Sequence, residues 1–291
     1  MNMRSLGPGG PDVSVVGFGG MPLSIAGRPD SAGAVRVLHA SLDAGMTLID
    51  TADVYCLDDG DIGHNERLIA RALREWSGDL ASVVVATKGG LRRPGGQWVN
   101  DARPEHLRSA CEASLVALGV DTIDLYQLHA PDPAVPFADS VGALADLREQ
   151  GKIRWAGLSN VSADQIREAT EIVPVATVQN RLSPFFREAI DVGVVSCTAE
   201  MGIGFLAYSP VGGGRLNRKL PDHPVVAEIA RVHDASPHAV VLAWVRGRAP
   251  NVIVIPGART ESHALDSVRS AAIELTEEEN RAIEESEFSV T

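Results

Sequence analysis

Four side chains in the sequence have the types needed to move a proton onto an oxygen: Asp50, Tyr55, Lys88 and His129. A free phenol, with a pKa of about 10, is a poor acid at neutral pH. A nearby ammonium favours the phenolate and is expected to lower that pKa, and a carboxylate paired with the ammonium keeps it charged and in place. A histidine can orient the oxygen that receives the proton. Such a set protonates an alkoxide as it forms from a carbonyl, but no side chain can deliver the accompanying hydride, so a cofactor must. Ser159, Asn160 and Gln179 are amide and hydroxyl partners suited to a carboxamide, and Tyr208 offers a flat face to a nicotinamide ring. The stretch "VGGGRL" at 211–216 can bring backbone N–H groups to a pyrophosphate.

These residues are far apart in the chain, so the elements that carry them must converge. Short β-branched runs at 15–21, 47–51, 82–88, 123–129, 153–159, 175–180, 203–209 and 252–257 alternate with amphipathic segments whose apolar residues recur at helical spacing. In "SAGAVRVLHASLDAG", Ala34, Val37, Leu38, Ser41 and Leu42 mark one face and Gly45 stops the helix. Strands apolar on both faces, in strict alternation with helices, argue for parallel pairing under a helical cover. Eight such units close a (β/α)8 TIM barrel, a fold that commonly takes about 250 residues. The 291 residues are therefore expected to form one domain, 1–291, with a small N-terminal hairpin plugging the floor and an extra C-terminal helix capped by Thr276. The rival, an open doubly wound sheet, lacks its glycine fingerprint: Gly202, Gly204 and Ala207 lead into a strand rather than a helix.

In such a barrel the strand ends carry the chemistry. The second strand ends in Asp50 with Tyr55 just beyond, the third in Lys88, the fourth in His129 and the fifth in Ser159 and Asn160. The sixth ends in Gln179 and Asn180, the seventh in Tyr208, Ser209 and Pro210, and the eighth leads into "IPGARTESH". The cofactor set is thus Ser159, Asn160, Gln179, Tyr208, Ser209, Pro210, Gly212, Gly257, Arg259, His263 and Ser267, with Arg259 the expected partner of a phosphate.

Composition narrows the alternatives. A net charge of −12 without a basic stripe disfavours nucleic acid as a partner, and no window approaches the roughly 18 uninterrupted apolar residues of a membrane span. Cys56, Cys111 and Cys197, odd in number and widely spaced, form neither a disulfide framework nor a zinc pattern and suit a reducing, cytoplasmic setting. The loop "CLDDGDIGH" carries acids, a cysteine and a histidine but lacks calcium-hand or zinc spacing, so it is expected to be solvated and to bind no metal. Tyr126 reads as core, His39 and His106 as packing or surface residues, Asp53 as a brace for the turn that aims Tyr55, and Met21, Trp98 and Phe18 as pocket lining. A hydrolase or lyase would need a nucleophile, a carboxylate pair or a metal cluster at the strand ends, and none is there.

The combination "IDTADVY", "ATK", "DLYQLH", "GLSN", "VQN", "AYSP" and "IPGART" resembles the aldo-keto reductases over nearly the whole chain. The resemblance implies a TIM barrel, reduction of a small-molecule aldehyde or ketone by NADPH rather than NADH, Tyr55 as general acid tuned by Asp50 and Lys88, His129 as orienter, and nicotinamide contacts from Ser159, Asn160, Gln179 and Tyr208. The chain departs from the family after the eighth strand, where a Lys-Ser or similar pair, an arginine and an asparagine near the adenine are usual. Gly257-Ala258, Arg259 and Ser267 stand there instead. It also has "YCLDDGDIGHNE" where Tyr-Gly is common. "GHNERLI" and "SHALDS" resemble stretches of reductases acting on pyridoxal and similar aromatic aldehydes. A barrel that binds the nucleotide as a sensor or regulatory subunit is the alternative from another class. Substrate choice would rest on the loops 55–64, 91–102, 130–137 and 211–223, and self-association is left open by the sequence.

Overall fold

The computed structural model describes residues 1–291. Eight parallel strands form one sheet in sequential order: β1 (Phe18–Gly19), β2 (Leu48–Asp50), β3 (Val84–Gly89), β4 (Ile123–Leu128), β5 (Ile153–Ser159), β6 (Val175–Arg181), β7 (Gly204–Tyr208) and β8 (Val252–Val254). The first and last meet through a parallel bridge between Val16 and Val254. Gly17 donates to Val254 O and Gly19 to Pro256 O, so the edges that an open sheet would expose are paired and the fold is a (β/α)8 barrel. The first and last strands, at two and three residues, are shorter than the sequence suggests.

Side chains alternate between the two surfaces of each strand. Ile49, Tyr126, Leu158, Val178 and Phe205 point outward and pack in the main core beneath the helices. Leu48, Ala86, Leu125, Leu206 and Ile253 point inward and share a second cluster with Leu6 and Val13. The next inward positions along the strands are Asp50, Lys88, Gln127, Thr177 and Gln179, all buried. The interior therefore runs from an apolar floor to a polar upper layer at the carboxyl ends.

The floor is closed by a hairpin, Met3–Ser5 against Asp12–Ser14, which bears out the sequence expectation. Its approach is close enough to dictate glycine: a Cβ on Gly204 would lie 2.1 Å from Leu6 O, and one on Gly7 would lie 1.8 Å from Ala176 O.

Helices cover the outside. Glu277–Glu285 follows the last barrel helix, with Thr276 and Glu279 forming a reciprocal cap and three acids in its first turn, where the helix dipole favours them. Three features go beyond the sequence reading. The segment after β6 breaks into Glu188–Asp191 and Val194–Glu200, because Gly193 takes a left-handed φ of 77°. The loop after β3 contains a small hairpin, Leu91–Arg92 against Val99–Asn100. A further helix, Pro224–Val232, was not expected. No helix is long and apolar enough to cross a membrane.

Candidate active site

Lys88 is fully buried inside the barrel, and its ammonium is the hub of the upper layer. Nζ lies 2.8 and 2.7 Å from the two carboxylate oxygens of Asp50, 2.8 Å from Thr51 O and 3.1 Å from Tyr55 Oη. Register explains the meeting: Asp50 pairs with Ala86 and Lys88 with Gln127, so the acid and the base are inward neighbours on β2 and β3. Burial lowers the Lys88 pKa and the Asp50 carboxylate opposes that shift.

Tyr55 reaches the hub because the chain turns sharply after β2. Asp53 Oδ1 accepts from Val54 N at 2.7 Å, and Gly63 N donates to Asp53 O at 2.7 Å. Asp53 is thus the brace of the turn. It is also buried, and burial together with nearby Glu66 holds its carboxyl pKa well above the usual range.

The phenol corrects one expectation. Its pKa stands well above 10, raised by burial first and then by Asp50, rather than lowered by Lys88. The physical reason is that Asp50 cancels the ammonium's charge while burial penalises the phenolate. Tyr55 accordingly holds its proton, which is the form a proton donor needs.

His129 stands edge-on to Tyr55, with ring centroids 5.7 Å apart and planes at 82°. Burial, then Lys88, pushes its pKa well below the usual 6.5, so the ring is neutral. Its Nδ1 is buried with no partner in the chain.

The residues at the ends of β5 to β7 form a second network joined to the first. Gln179 Nε2 donates to Asp50 Oδ1 at 2.7 Å. Asn160 Nδ2 donates to His129 O at 2.9 Å, and Tyr208 Oη donates to Asn160 Oδ1 at 2.8 Å. Ser159 Oγ donates to Gln179 O at 2.7 Å. Asn160 and Ser209 hold left-handed φ values of 59° and 49°, a conformation seldom adopted outside glycine and concentrated at functional positions. A cavity of about 450 Å³ opens beside Asn160, Phe186 and Tyr208.

The remaining cofactor candidates fall around β7 and β8 with differing freedom. The Gly212 N–H is donated to Ser209 O at 2.8 Å, so it is not available to a pyrophosphate as expected. Its glycine is dictated instead by φ 88° and by Phe185, 2.6 Å from where a Cβ would sit. A Cβ on Gly257 would lie 2.5 Å from Pro22. Arg259 spends Nε on Pro22 O (3.1 Å) and Nη2 on Ala26 O (2.7 Å), tying the last loop to the first and leaving Nη1 for a phosphate. His263 lies exposed in the first turn of Glu261–Arg269, and Ser267 Oγ donates back to His263 O at 3.0 Å. Pro210 is buried.

Of the expected pocket lining, Trp98 meets Tyr55 edge to face at 6.4 Å and Met21 packs beside Tyr55 and Val54. Phe18 instead faces the helices in the main core, since the β1 alternation turns it outward. Tyr126 is core, as expected, with Oη donating to Leu107 O at 3.2 Å. Sequence reasoning missed Gln127, an interior partner of Gln179 at 3.5 Å, and Arg93, whose guanidinium stacks 3.7 Å over Trp98. The Pro94-Gly95-Gly96 turn was the available signal for the hairpin that carries Arg93 and Trp98. No group of three or more His, Cys, Asp or Glu residues is placed to hold a metal ion.

The flat phenol face of Tyr208 and the amide oxygen of Gln179 fit a nicotinamide and its carboxamide: Tyr208 is fixed through its hydroxyl, and Gln179, held by its Nε2, keeps Oε1 as an acceptor. Known proteins carry the same arrangement of chain. An aldo-keto reductase of Strobilurus tenacellus is 34% identical over 95% of this chain and 90% of its own length. A probable aldo-keto reductase of Glycine max is 33% identical over 96% and 86%. The structure of a glycerol dehydrogenase from Gluconobacter oxydans superimposes with a TM-score of 0.84 at 30% identity, covering 97% of this chain and 93% of that one. An aldo/keto reductase from Klebsiella pneumoniae, solved with NADP and acetate, gives 0.81 at 25% identity over 97% and 94%. The profile of the aldo/keto reductase family matches residues 15–287. With its barrel, its strand-end residues and its relatives in agreement, the chain belongs to the aldo/keto reductase family and is an oxidoreductase of the NAD(P)-dependent carbonyl-reducing kind.

Proposed function

We propose that the protein reduces the carbonyl of a small-molecule aldehyde or ketone, with NADPH as cofactor and Tyr55 as proton donor. The observation that carries the reading is the shared reach of Lys88 Nζ, 3.1 Å from Tyr55 Oη and within 2.8 Å of both Asp50 oxygens.

When bound, NADPH supplies a hydride to the carbonyl carbon. The chain's own residues handle the oxygen. Neutral His129 donates one N–H to it and holds it beside Tyr55. As negative charge gathers on the oxygen, Tyr55 gives up its proton, and the phenolate left behind faces the Lys88 ammonium at hydrogen-bond distance. Asp50 keeps that ammonium charged in a site where burial would neutralise it. Ser159, Asn160 and Gln179 would hold the carboxamide, and Tyr208 the ring.

Arg259, with Nη1 free, supports NADPH over NADH, and the Klebsiella pneumoniae relative was solved with NADP. The buried, unpaired Cys56, Cys111 and Cys197 support a reducing, cytoplasmic setting.

The test is loss of NADPH absorbance with a panel of aldehydes, pyridoxal included, for wild type and Tyr55→Phe. General acid catalysis contributes about 10²–10⁴-fold, and turnover should fall by that order in the phenylalanine variant while NADPH still binds. Absence of wild-type turnover across the panel, with NADPH bound tightly, would overturn the reading in favour of a nucleotide sensor.

A further inference from the structure

The hairpin of residues 91–100 lies across the mouth of the barrel and is tied down on both sides. Gly95 N donates to Asp59 Oδ1 at 3.2 Å on one side, and Asn100 Nδ2 donates to Pro131 O at 2.9 Å on the other. Between these ties Trp98 presents its indole to Tyr55, and Arg93 lies under it.

Arg93 is unusual for a charged residue on a surface hairpin. It is only 8% exposed, and its hydrogen-bond partners include no carboxylate. Its polar contacts are backbone carbonyls, Cys56 O at 3.4 Å through Nε and Gly96 O through Nη1. Its flat face is spent on Trp98, with the guanidinium carbon 3.7 Å from the ring centre. Guanidinium is the cation suited to this position, because its planar, weakly hydrated group can donate in its own plane while stacking on an aromatic face.

Trp98 itself is 46% exposed. A half-exposed indole on a glycine-containing hairpin keeps much of its side-chain freedom unless something fixes it. Arg93 fixes it, and does so from Cys56, the residue next to Tyr55.

Trp98 and His129 both stand almost perpendicular to the Tyr55 ring, at 81° and 82°. Two flat side chains therefore stand against the ring that carries the proton-donating hydroxyl. Such walls make continuous van der Waals contact with a planar, conjugated carbonyl compound and less with a puckered aliphatic one.

We propose that Arg93 is a positioning residue that locks Trp98 against Tyr55, and that the locked indole makes the enzyme select aromatic aldehydes over aliphatic ones of equal size. The inference rests on the reductase reading and names its substrate class. Arg93 touches neither substrate nor cofactor, and acts through Trp98.

The test compares benzaldehyde with cyclohexanecarbaldehyde, which have the same carbon skeleton but differ in planarity. Wild type should favour benzaldehyde in kcat/KM by about tenfold, the discrimination that a difference of order 1.4 kcal/mol in transition-state contact gives. In Arg93→Gln the benzaldehyde KM should rise until the preference is nearly lost, with kcat changed less than twofold. Arg93→Lys should not restore it, because an ammonium has no flat face. Trp98→Phe should keep part of the preference and Trp98→Leu none. The Trp98 pair also decides the matter should the Arg93 variants misfold, since it alters a half-exposed side chain. Equal kcat/KM for the two aldehydes in wild type, or an equal KM rise for both in Arg93→Gln, overturns this inference and leaves the reductase reading standing. No turnover of either aldehyde, or of the wider panel, with NADPH bound overturns the reductase reading itself.

Discussion

Gln179 and Asp50 are 129 positions apart in the chain and 2.7 Å apart in space, joined by a hydrogen bond from amide Nε2 to carboxylate Oδ1. The acid that holds Lys88 is therefore itself held from the opposite wall of the barrel. Hydrogen bonds to charged groups contribute about 1.5–3 kcal/mol. Gln179→Leu should lower stability by that order in denaturant unfolding and reduce kcat, and Gln179→Glu should do worse, because it sets a second carboxylate against Asp50. Unchanged stability in the leucine variant would show that the bond carries no weight.

Lys88 and Asp50 form a buried pair, and removing one partner strands the other. Lys88→Met should cost about 3–5 kcal/mol and abolish most turnover. Adding Asp50→Asn should recover part of the stability but none of the activity, because the remaining groups are neutral and Tyr55 still lacks its ammonium. A thermodynamic cycle from urea melts of the four proteins measures the coupling.

The neutral state of His129 gives a definite pH signature. Its folded pKa is depressed, by burial first and then by Lys88, so the unfolded chain binds this proton more readily. The resulting stability is fully present above the unfolded value of about 6.5 and is lost as pH falls through the folded value. His129→Gln should show a shallower fall in melting temperature on acidification than wild type. The wild-type kcat/KM profile should carry no histidine limb near pH 6.5.

Asp53 behaves in the opposite sense. Burial and Glu66 raise its folded pKa, so its favourable contribution is complete below the unfolded value of about 3.9 and is lost as pH rises through the folded one. Asp53→Asn keeps an acceptor for Val54 N and removes the buried acid. It should melt higher than wild type at pH 8 and level with it near pH 4. A lower melting point at both would mean that the ionised carboxylate is needed to hold the turn.

The sequence made the strands and the strand-end chemistry legible because both depend on local signals. Runs such as Val84–Val85 and the motif ends at Asp50, Lys88 and His129 declare themselves through residue type and spacing. Contacts across the barrel did not, since nothing local in Gln179 says whether its amide faces a cofactor or Asp50. The direction of the Tyr55 shift was misread for a related reason. A neighbouring ammonium can be guessed from spacing, but the desolvation that outweighs it exists only once the barrel is closed. Burial of Asp53 and of Arg93 is likewise a property of the assembled loops, and charged residues in a surface-like stretch read as solvated. Gly212 looked like a phosphate-binding glycine, whereas its amide and its φ serve the turn itself.

The hairpin that seals the barrel floor bears on access to the tetrad. With Leu6 seated among the inward residues of five strands, the floor gives the tetrad no open side, and Trp98 stands against Tyr55 at the mouth. Ser159, Asn160 and Gln179 lie at the carboxyl ends of β5 and β6, tied to His129 and Asp50 of the tetrad. On the proposed reading, cofactor and substrate therefore both reach the tetrad from the mouth side.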